Sequence, residues 1–315
     1  MLNHKTKWIS SILVACLILF TISAITTAED YTYPKKTKYD GEKINVAMVS
    51  EGICEELIPL LPEFEEKTGI KVNLELYPYP NLQEKMMIAL TQKSGAYDVV
   101  HIDCVRYGQF AGQGWVIPLD DYISKTDPTI LALDDHLPGL MQEQAIYDGK
   151  TFGMPYISAA MGLIYRKDLF DEYGVKLPNT WDELIEVCKA IQLKLPQGSY
   201  PLIFTAARDE SLICTYMNLL GSYSGYVYDG NYVATMNTEA GKKSMEMLKE
   251  LLGYCPPGAT TYVHGEVLQM FGDGKIAAGV YWYNQAAIFE DPEKSKIVGK
   301  WDAYLMPGVK QADGS

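Results

Sequence analysis

A regular alternation of predicted strands and helices begins at Ile44 and strongly restricts the possible folds. Three apolar stretches, at 44–49, 70–76 and 98–102, have the length or period-two pattern of strands, and two segments with helical spacing separate them. A strand that is followed by a helix and then by another strand of the same sheet normally returns parallel to the first. The first half is therefore predicted to be a parallel, doubly wound α/β sheet.

The two intervening segments carry signals for helix ends. Apolar residues from Leu57 to Phe64 recur at steps of three and four, and Gly69 is predicted to end that helix. Asn81 is predicted to cap the second helix, on which Leu82 and Met86 share a face.

Ligands of parallel α/β sheets bind beyond the carboxyl ends of the strands. This rule selects the segments 50–53, 77–80 and 103–107. Glu51, Asp103 and Arg106 are the polar candidates there, and Tyr107 is the aromatic candidate. The alternatives are a solvated acid for Glu51, a surface ion pair for Asp103 with Arg106, and simple packing for Tyr107.

The second half has its own strands and helices. Residues 202–204 read as a strand, and Asp209 is predicted to cap a helix that runs through Leu220. Residues 226–233 are predicted to form a hairpin with Asp229 and Gly230 at its tip.

Two further helices are predicted from caps and apolar spacing. Asn237 or Thr238 is expected to cap a helix that ends at Gly253. Its buried face is predicted to consist of Met245, Leu248 and Leu252. Thr180 and Glu183 form a capping-box pattern ahead of a helix to about Leu193. The buried stripe of that helix is predicted to consist of Leu184, Val187, Cys188 and Ile191.

The N-terminus has the layout of a secretory signal peptide. Lys5 and Lys7 precede an apolar run over 8–25, and small residues follow before Glu29, so residues 1–28 are excluded from the fold. Cys16 follows a lipobox-like Leu-Val-Ala, which leaves lipid anchoring open, and a retained membrane anchor is a third possibility. No other segment approaches the length needed to cross a bilayer. We favour a free periplasmic protein.

Composition narrows the range of partners. Removal of the leader with its two lysines changes the formal net charge from −13 to −15, and such an acidic surface argues against nucleic acid as a partner. The remaining length can bury two cores. Five cysteines remain without zinc-type spacing. Cys54 and Cys104 both follow predicted strands, and we leave open whether they form a disulfide or are separate thiols.

Three motifs in order suggest a family. Residues 147–156 read Tyr-Asp-Gly-Lys-Thr-Phe-Gly-Met-Pro-Tyr, residues 163–170 read Leu-Ile-Tyr-Arg-Lys-Asp-Leu-Phe, and residues 178–184 read Pro-Asn-Thr-Trp-Asp-Glu-Leu. This series resembles the hinge region of extracellular solute-binding proteins of ABC importers, in the carbohydrate-binding, maltose-binding-protein-like branch. Residues 262–282, with Met-Phe-Gly-Asp-Gly-Lys-Ile-Ala-Ala and Trp282, continue the resemblance.

The resemblance implies an α/β, two-lobe periplasmic-binding-protein fold of type II character, in which each lobe is a mostly parallel sheet flanked by helices. It implies an N-terminal lobe at 40–154, a C-terminal lobe at 155–315, and closure on a sugar without catalysis or cofactor. The expected partners are a sugar or oligosaccharide and a membrane permease, and the expected state is a monomer. The family's second hinge crossing would follow residues 305–308, so we expect an incomplete first lobe that exposes sheet edge and apolar surface.

Sugar sites combine aromatic faces with polar groups that form paired hydrogen bonds. By its position in the family pattern, Trp282 is the expected platform, with a core or interface aromatic as the alternative. Tyr156 near the hinge is a further stacking candidate, with simple packing as the alternative, and Arg208 after a second-half strand is a polar candidate. The predicted ligand-binding set is Glu51, Asp103, Arg106, Tyr107, Tyr156, Arg208 and Trp282.

Other functions remain open at this point. The 23 tyrosines would also suit a ferric-ion binder, and acids around aromatics would suit a polyamine binder of the same fold. A secreted glycoside hydrolase needs two carboxylates, for which Glu51 and Asp103 are available. The four histidines show no HExxH spacing, and the sequence contains no GxSxG elbow.

Overall fold

The computed structural model describes residues 39–50, 52–137 and 139–310. The predicted leader at 1–28 and the candidate Glu51 lie outside these residues. The chain divides into two compact units between Tyr156 and Ile157. Within the described ranges, every helix is too short or too polar to cross a bilayer.

The first unit alternates strands with helices and adds several short helices. Its strands are β1 Lys43–Val49, β2 Lys71–Tyr77, β3 Val99–Val100, β4 Ile146–Tyr147 and β5 Lys150–Thr151. Its α-helices are α1 Gly52–Glu55, α2 Leu61–Thr68, α3 Tyr79–Thr91, α4 Cys104–Gly112, α5 Asp120–Ile123, α6 Pro128–Leu131 and α7 Leu140–Gln144, with 3-10 turns at Ile58–Leu60 and Leu133–Asp135.

The predicted parallel sheet of the first unit is confirmed. Its order is β2-β1-β3, and β1 runs parallel to both neighbours. The third strand is shorter than predicted, since only Val99 and Val100 pair with β1. Gly69 ends α2 with a positive φ of 76°, a conformation that favours glycine, as expected.

The predicted cap of α3 is wrong. The helix begins at Tyr79, with Pro78 as its N-cap, so Asn81 lies inside its first turn. Pro80 also lies in this turn, where its fixed φ suits the helix and its missing N–H costs no hydrogen bond. The prolines at the helix start therefore place the N-cap at Pro78, three residues before the position predicted from Asn81.

The second unit contains four strands and five α-helices in its described part. Its strands are β6 Met161–Tyr165, β7 Tyr200–Ile203, β8 Ile276–Trp282 and β9 Asp302–Tyr304. Its α-helices are α8 Lys167–Tyr173, α9 Trp181–Gln192, α10 Glu210–Ser222, α11 Glu239–Leu252 and α12 His264–Gly272, with 3-10 segments at Ala259–Thr261 and Tyr283–Glu290.

The sheet of the second unit is mixed, which corrects the expectation of a mostly parallel sheet. Its order is β7-β8-β6-β9; β7 and β8 are parallel, whereas β6 is antiparallel to both β8 and β9. The central pairing joins distant residues, such as Leu163 with Val280. Local patterns predict that a segment is a strand, but only long-range pairing sets its direction.

Two details of the second unit also differ from prediction. Thr238 caps α11, but Met245 is 55% exposed, and Met247 and Leu251 are buried together with Leu248. The predicted hairpin at 226–233 is reduced to one bridge between Tyr228 and Ala234. The carboxylate of Asp229 accepts hydrogen bonds from the backbone N–H groups of Asn231 and Val233, which closes the loop on itself.

Helix α9 forms as predicted. The Thr180 hydroxyl accepts a hydrogen bond from the Glu183 N–H at 3.1 Å, and the Glu183 carboxylate accepts from the Thr180 N–H at 3.3 Å. This is a complete capping box. The predicted stripe is buried, and it contacts β7 and α11 in the core of this unit.

The capping box makes a testable contribution to stability. Replacing Thr180 with Ala removes the acceptor for a helix-start N–H, and we expect a loss of about 1 kcal/mol in the free energy of unfolding. Thr180→Ser keeps the acceptor and is the matched control. Equal denaturation midpoints for the Ala variant and the wild type would contradict a role for this cap.

An ion pair fixes the start of α8. Arg166, 8% exposed, donates from Nε and a terminal nitrogen to the two carboxylate oxygens of Asp168, at 2.7 and 2.6 Å. Burial raises the pKa of Asp168, but the hydrogen bond and charge of Arg166, together with the Leu169 N–H and the Lys300 charge, lower it by more, so the pKa lies below its ordinary value of 3.8. The pair therefore stabilises the fold above about pH 4, and this contribution is lost as the pH falls through the lowered pKa.

We expect Asp168→Asn to lower the unfolding free energy by about 1–2 kcal/mol at pH 7, because Arg166 loses a charged partner. The loss is limited to this range because the Asp168 carboxylate is partly exposed to solvent. The difference from wild type should shrink in acid, where Asp168 is protonated. Glu186→Gln is the control, because its ion pair with Lys189 is well exposed and should contribute less than about 0.5 kcal/mol. A difference between Asp168→Asn and wild type that does not change with pH would contradict the assignment.

Candidate functional site

The carboxyl ends of β1 and β3 meet at one edge of the first unit, where three side chains form a cluster. The Tyr156 hydroxyl lies 2.8 Å from His101 Nδ1 and 3.3 Å from Cys54 Sγ. The rings of Tyr156 and His101 meet edge to face at 5.3 Å. Burial lowers the pKa of His101, and the nearby Asp103 carboxylate only partly opposes this. The Tyr156 hydroxyl is held in place, while 44% of the residue remains exposed.

Asp103 and Arg106 lie at the start of α4, at the same edge. One oxygen of Asp103 accepts a hydrogen bond from the Val105 N–H at 3.2 Å and thereby caps the helix. In the described part of the chain, no ion pair joins Asp103 to Arg106, which corrects that alternative. The Nε of Arg106 is buried without a hydrogen-bond partner among these residues. This one N–H of the guanidinium is therefore an unsatisfied donor within the described structure.

Tyr107 packs inside the first unit. It is 6% exposed, donates its hydroxyl hydrogen to the Ala145 carbonyl, and accepts a hydrogen bond from the Phe152 N–H at 3.3 Å. Burial raises the pKa of this hydroxyl. Of the two interpretations of Tyr107, the structure favours packing.

The second unit has a corresponding edge where the parallel strands β7 and β8 end. Trp282 is the last residue of β8 and is half-buried. The His264 ring lies 5.1 Å from the indole at an angle of 51°, and the Tyr281 ring lies 5.5 Å away, nearly perpendicular. These neighbours restrict the rotation of the indole.

Arg208 follows β7 and is exposed. The next residue, Asp209, caps α10 by accepting from the Ser211 N–H at 3.0 Å. The Asp209 carboxylate also acts on His264, but burial has the larger effect and lowers the pKa of that imidazole. The ends of β7 and β8 thus bring Arg208, Asp209, His264 and Trp282 to one side of this unit.

Sequence reasoning missed three polar residues at this edge of the second unit. His264 begins α12, Thr205 follows β7 and is fully buried, and Asn284 lies two residues after Trp282. Thr205 Oγ1 and Asn284 Oδ1 are buried without partners among the described residues. No local pattern distinguishes His264, because only the packing of α12 against β8 brings it close to Trp282.

The two edges offer aromatic faces with guanidinium, imidazole and amide groups. Such groups bind hydroxylated solutes through stacking and paired hydrogen bonds. Among the residues with described positions, no group of three or more His, Cys, Asp or Glu side chains is placed to hold a metal ion. The carboxylate of Asp103, one of the two acids considered for a hydrolase, serves as a helix cap.

Comparisons with known proteins agree with this architecture. A family model described as bacterial extracellular solute-binding protein matches residues 55–314. A probable amino-acid ABC transporter periplasmic-binding protein of Sinorhizobium fredii is 23% identical over 91% of this chain and 67% of its own length. A mannitol-binding protein of Pseudomonas aeruginosa is 26% identical over 69% of this chain and 49% of its own length.

The structure of this chain also resembles a solved structure. The crystal structure of an ABC transporter solute-binding protein from Agrobacterium radiobacter, in complex with ribitol, has a TM-score of 0.79 and 27% identity. The match covers 87% of this chain and 68% of that one. The present chain thus spans from about half to about two thirds of the length of the relatives it matches.

The fold is that of the two-lobed solute-binding proteins of ABC importers. The chain belongs to the bacterial extracellular solute-binding protein family. This is a family of binding proteins rather than enzymes, and its members act outside the cytoplasm.

Proposed function

We propose that this protein is the exported receptor of an ABC importer and that its solute is a sugar alcohol or a small sugar. The observation that carries the proposal is the half-buried Trp282 at the carboxyl edge of β8, which the His264 and Tyr281 rings hold in place. An aromatic face of this kind suits the C–H surface of a carbohydrate. The protein binds its solute and releases it unchanged.

The polar groups support a solute with many hydroxyls. Arg106 lies at the start of α4, where a guanidinium can donate paired hydrogen bonds to solute hydroxyl oxygens. The names of two relatives point the same way, since one is a mannitol-binding protein and another was crystallised with ribitol. A different relative is named for amino acids, so an amino acid belongs in any test.

We further propose that residues 40–154 and 155–315 act as two lobes that close on the solute. Asp103 and Arg106 contact it from the first lobe, Tyr156 contacts it from the hinge, and Arg208 and Trp282 contact it from the second lobe. Because the solute contacts both lobes only when they are closed, binding shifts the population to that state by its differential affinity. A membrane permease then recognises the closed monomer.

A thermal-shift screen tests the solute class. The panel consists of D-mannitol, ribitol, maltose, an L-amino-acid mixture, spermidine and ferric citrate, each added to the purified full chain. A ligand at 100 times its Kd adds about 2.7 kcal/mol to the unfolding free energy, which gives a clear rise in Tm. We expect the rise with a polyol or with maltose. A rise with amino acids, spermidine or iron alone would overturn the carbohydrate proposal, and turnover of a glycan would favour the hydrolase alternative.

The route of export is proposed on the sequence alone. Removal of residues 1–28 would leave a free periplasmic protein that begins near Glu29. Mass spectrometry of protein recovered from its native host tests this start. A lipid-modified Cys16 at the mature N-terminus would instead show an anchored protein.

A further inference from the structure

His264 is the side chain that connects the core of the second unit to the Trp282 platform. It is the first residue of α12, and its ring is partly buried. Its Nδ1 lies 2.7 Å from the hydroxyl of Tyr281, which is fully buried in the core. The same imidazole lies beside the Trp282 indole, at 5.1 Å between ring centres. The His264 ring therefore contacts a hydroxyl of the core and also lies beside Trp282, the proposed solute platform.

The direction of the hydrogen bond between Tyr281 and Nδ1 is linked to the tautomer of the imidazole, and our proposal takes the direction in which the Tyr281 hydroxyl donates. A neutral imidazole has one N–H donor and one acceptor nitrogen. When the Tyr281 hydroxyl donates to Nδ1, the hydrogen of His264 resides on Nε2. In the described part of the chain, Nε2 forms no hydrogen bond to protein and is not among the buried polar atoms that lack one. In this tautomer, Nε2–H is a donor without a protein acceptor among the described residues.

Burial favours the neutral form of the His264 imidazole. Burial lowers the pKa of His264, and the Asp209 carboxylate at the start of α10 only partly opposes this. Glu266 lies on the same helix, but its carboxylate accepts from the Val263 N–H at 3.1 Å and caps α12. The rings of Tyr281 and Trp282 of β8 also contact the imidazole. A neutral ring is required for the Tyr281 hydroxyl to donate to Nδ1.

We propose that His264 is a specificity-determining residue of the binding site, with its Nε2–H donating a hydrogen bond to a hydroxyl oxygen of a sugar alcohol or sugar that rests on Trp282. Tyr281 acts through His264, because it holds the imidazole in the tautomer that presents this donor. The inference rests on the proposed function and adds a named donor to it. A solute that places a hydroxyl oxygen near the indole face binds better than one that places only C–H groups there.

Two substitutions separate the two nitrogens of the ring. His264→Asn places an amide near the position of Nδ1 and lacks a group at Nε2, whereas His264→Gln extends an amide donor toward the position of Nε2. With D-mannitol, ribitol and maltose as probes in isothermal titration calorimetry, we expect the Asn variant to bind the preferred probe about tenfold more weakly than wild type. That factor corresponds to the loss of one neutral hydrogen bond. We expect the Gln variant to stay within about threefold of wild type. Thermal unfolding of both variants without probe measures whether they are folded.

A spectroscopic measurement tests the tautomer without any solute. Long-range ¹⁵N–¹H correlation spectra of the ¹⁵N-labelled full chain distinguish the two neutral imidazole tautomers, and the His264 signals are identified by their loss in the Gln variant. We expect the Nε2–H form at pH 7.5, and we expect Tyr281→Phe to introduce a share of the Nδ1–H form. A wild-type ring in the Nδ1–H form would overturn the inference.

The outcomes separate this inference from the function on which it rests. A wild-type protein that binds none of the three probes would overturn the proposed function and the inference together. A wild type that binds a probe, with an Asn variant that binds it equally well, would overturn the inference alone and leave the function standing. Equal weakening in the Asn and Gln variants would likewise overturn the assignment of Nε2 as the donor.

Discussion

Replacing Trp282 with Ala is expected to weaken solute binding by about 30- to 150-fold, equivalent to about 2–3 kcal/mol. The indole is half-buried at the end of β8, where His264 and Tyr281 hold it, so its loss removes both apolar area and a fixed stacking face. Isothermal titration calorimetry with the solute selected in the thermal-shift screen measures the change. Trp282→Phe retains a smaller face and should lose about tenfold at most.

Trp301 supplies the matched control for this experiment. It is also partly buried, and it packs against Phe289 at 5.5 Å in the second unit rather than against His264. Trp301→Phe is expected to leave solute affinity within about twofold of wild type. If Trp282→Ala and Trp301→Phe changed affinity equally, Trp282 would be a core aromatic rather than a platform.

Replacing Gly162 with Ala is expected to lower the unfolding free energy by about 3 kcal/mol. Gly162 lies in the central strand β6, and a Cβ built there would lie 1.5 Å from the Tyr283 hydroxyl oxygen and 2.0 Å from the adjacent ring carbon. That hydroxyl donates to the Tyr304 carbonyl of β9, so the ring cannot shift without breaking a hydrogen bond. Urea denaturation followed by circular dichroism measures the loss.

A double-mutant cycle tests whether Tyr283 causes this cost. In a Tyr283→Ala background, the further change Gly162→Ala is expected to cost less than about 1 kcal/mol, because the colliding ring is gone. Gly221→Ala is the control for glycine replacement as such. Gly221 lies in α10, nothing lies within 4 Å of its added Cβ, and we expect the change to stabilise the protein by about 0.5–1 kcal/mol. An unchanged cost of Gly162→Ala without the Tyr283 ring would refute the steric explanation.

Much of the secondary structure could be predicted because its signals are local. The capping box at Thr180, the cap at Asp209 and the helix end at Gly69 each involve residues within one helical turn of the terminus, and all three are present in the structure. Where a second local preference competed with the one used for the prediction, the prediction was wrong or only partly right. Pro78 and Pro80 started α3 ahead of Asn81, and the loop that Asp229 closes leaves only one bridge pair of the predicted hairpin.

The candidate site was predictable only in part. The rule for parallel sheets led to the start of α4 with Asp103 and Arg106, and the family pattern led to Trp282 at the end of β8. The same reasoning proposed Tyr107, whose ring and hydroxyl are committed to packing, and it overlooked His264. Whether an aromatic side chain packs or presents its face depends on its three-dimensional neighbours, which local sequence does not specify.

The sequence alone therefore determined the order of strands and helices, most helix ends, the parallel sheet of the first unit and the family to which the chain belongs. Each of these depends on periodicity, caps or motif order, and such signals act over a few residues. The tertiary structure decided the antiparallel pairing of β6 with β8, the close fit of Gly162 against Tyr283, and the placement of His264 between Tyr281 and Trp282. These features arise from contacts between residues far apart along the chain, and they exist only once the core has packed.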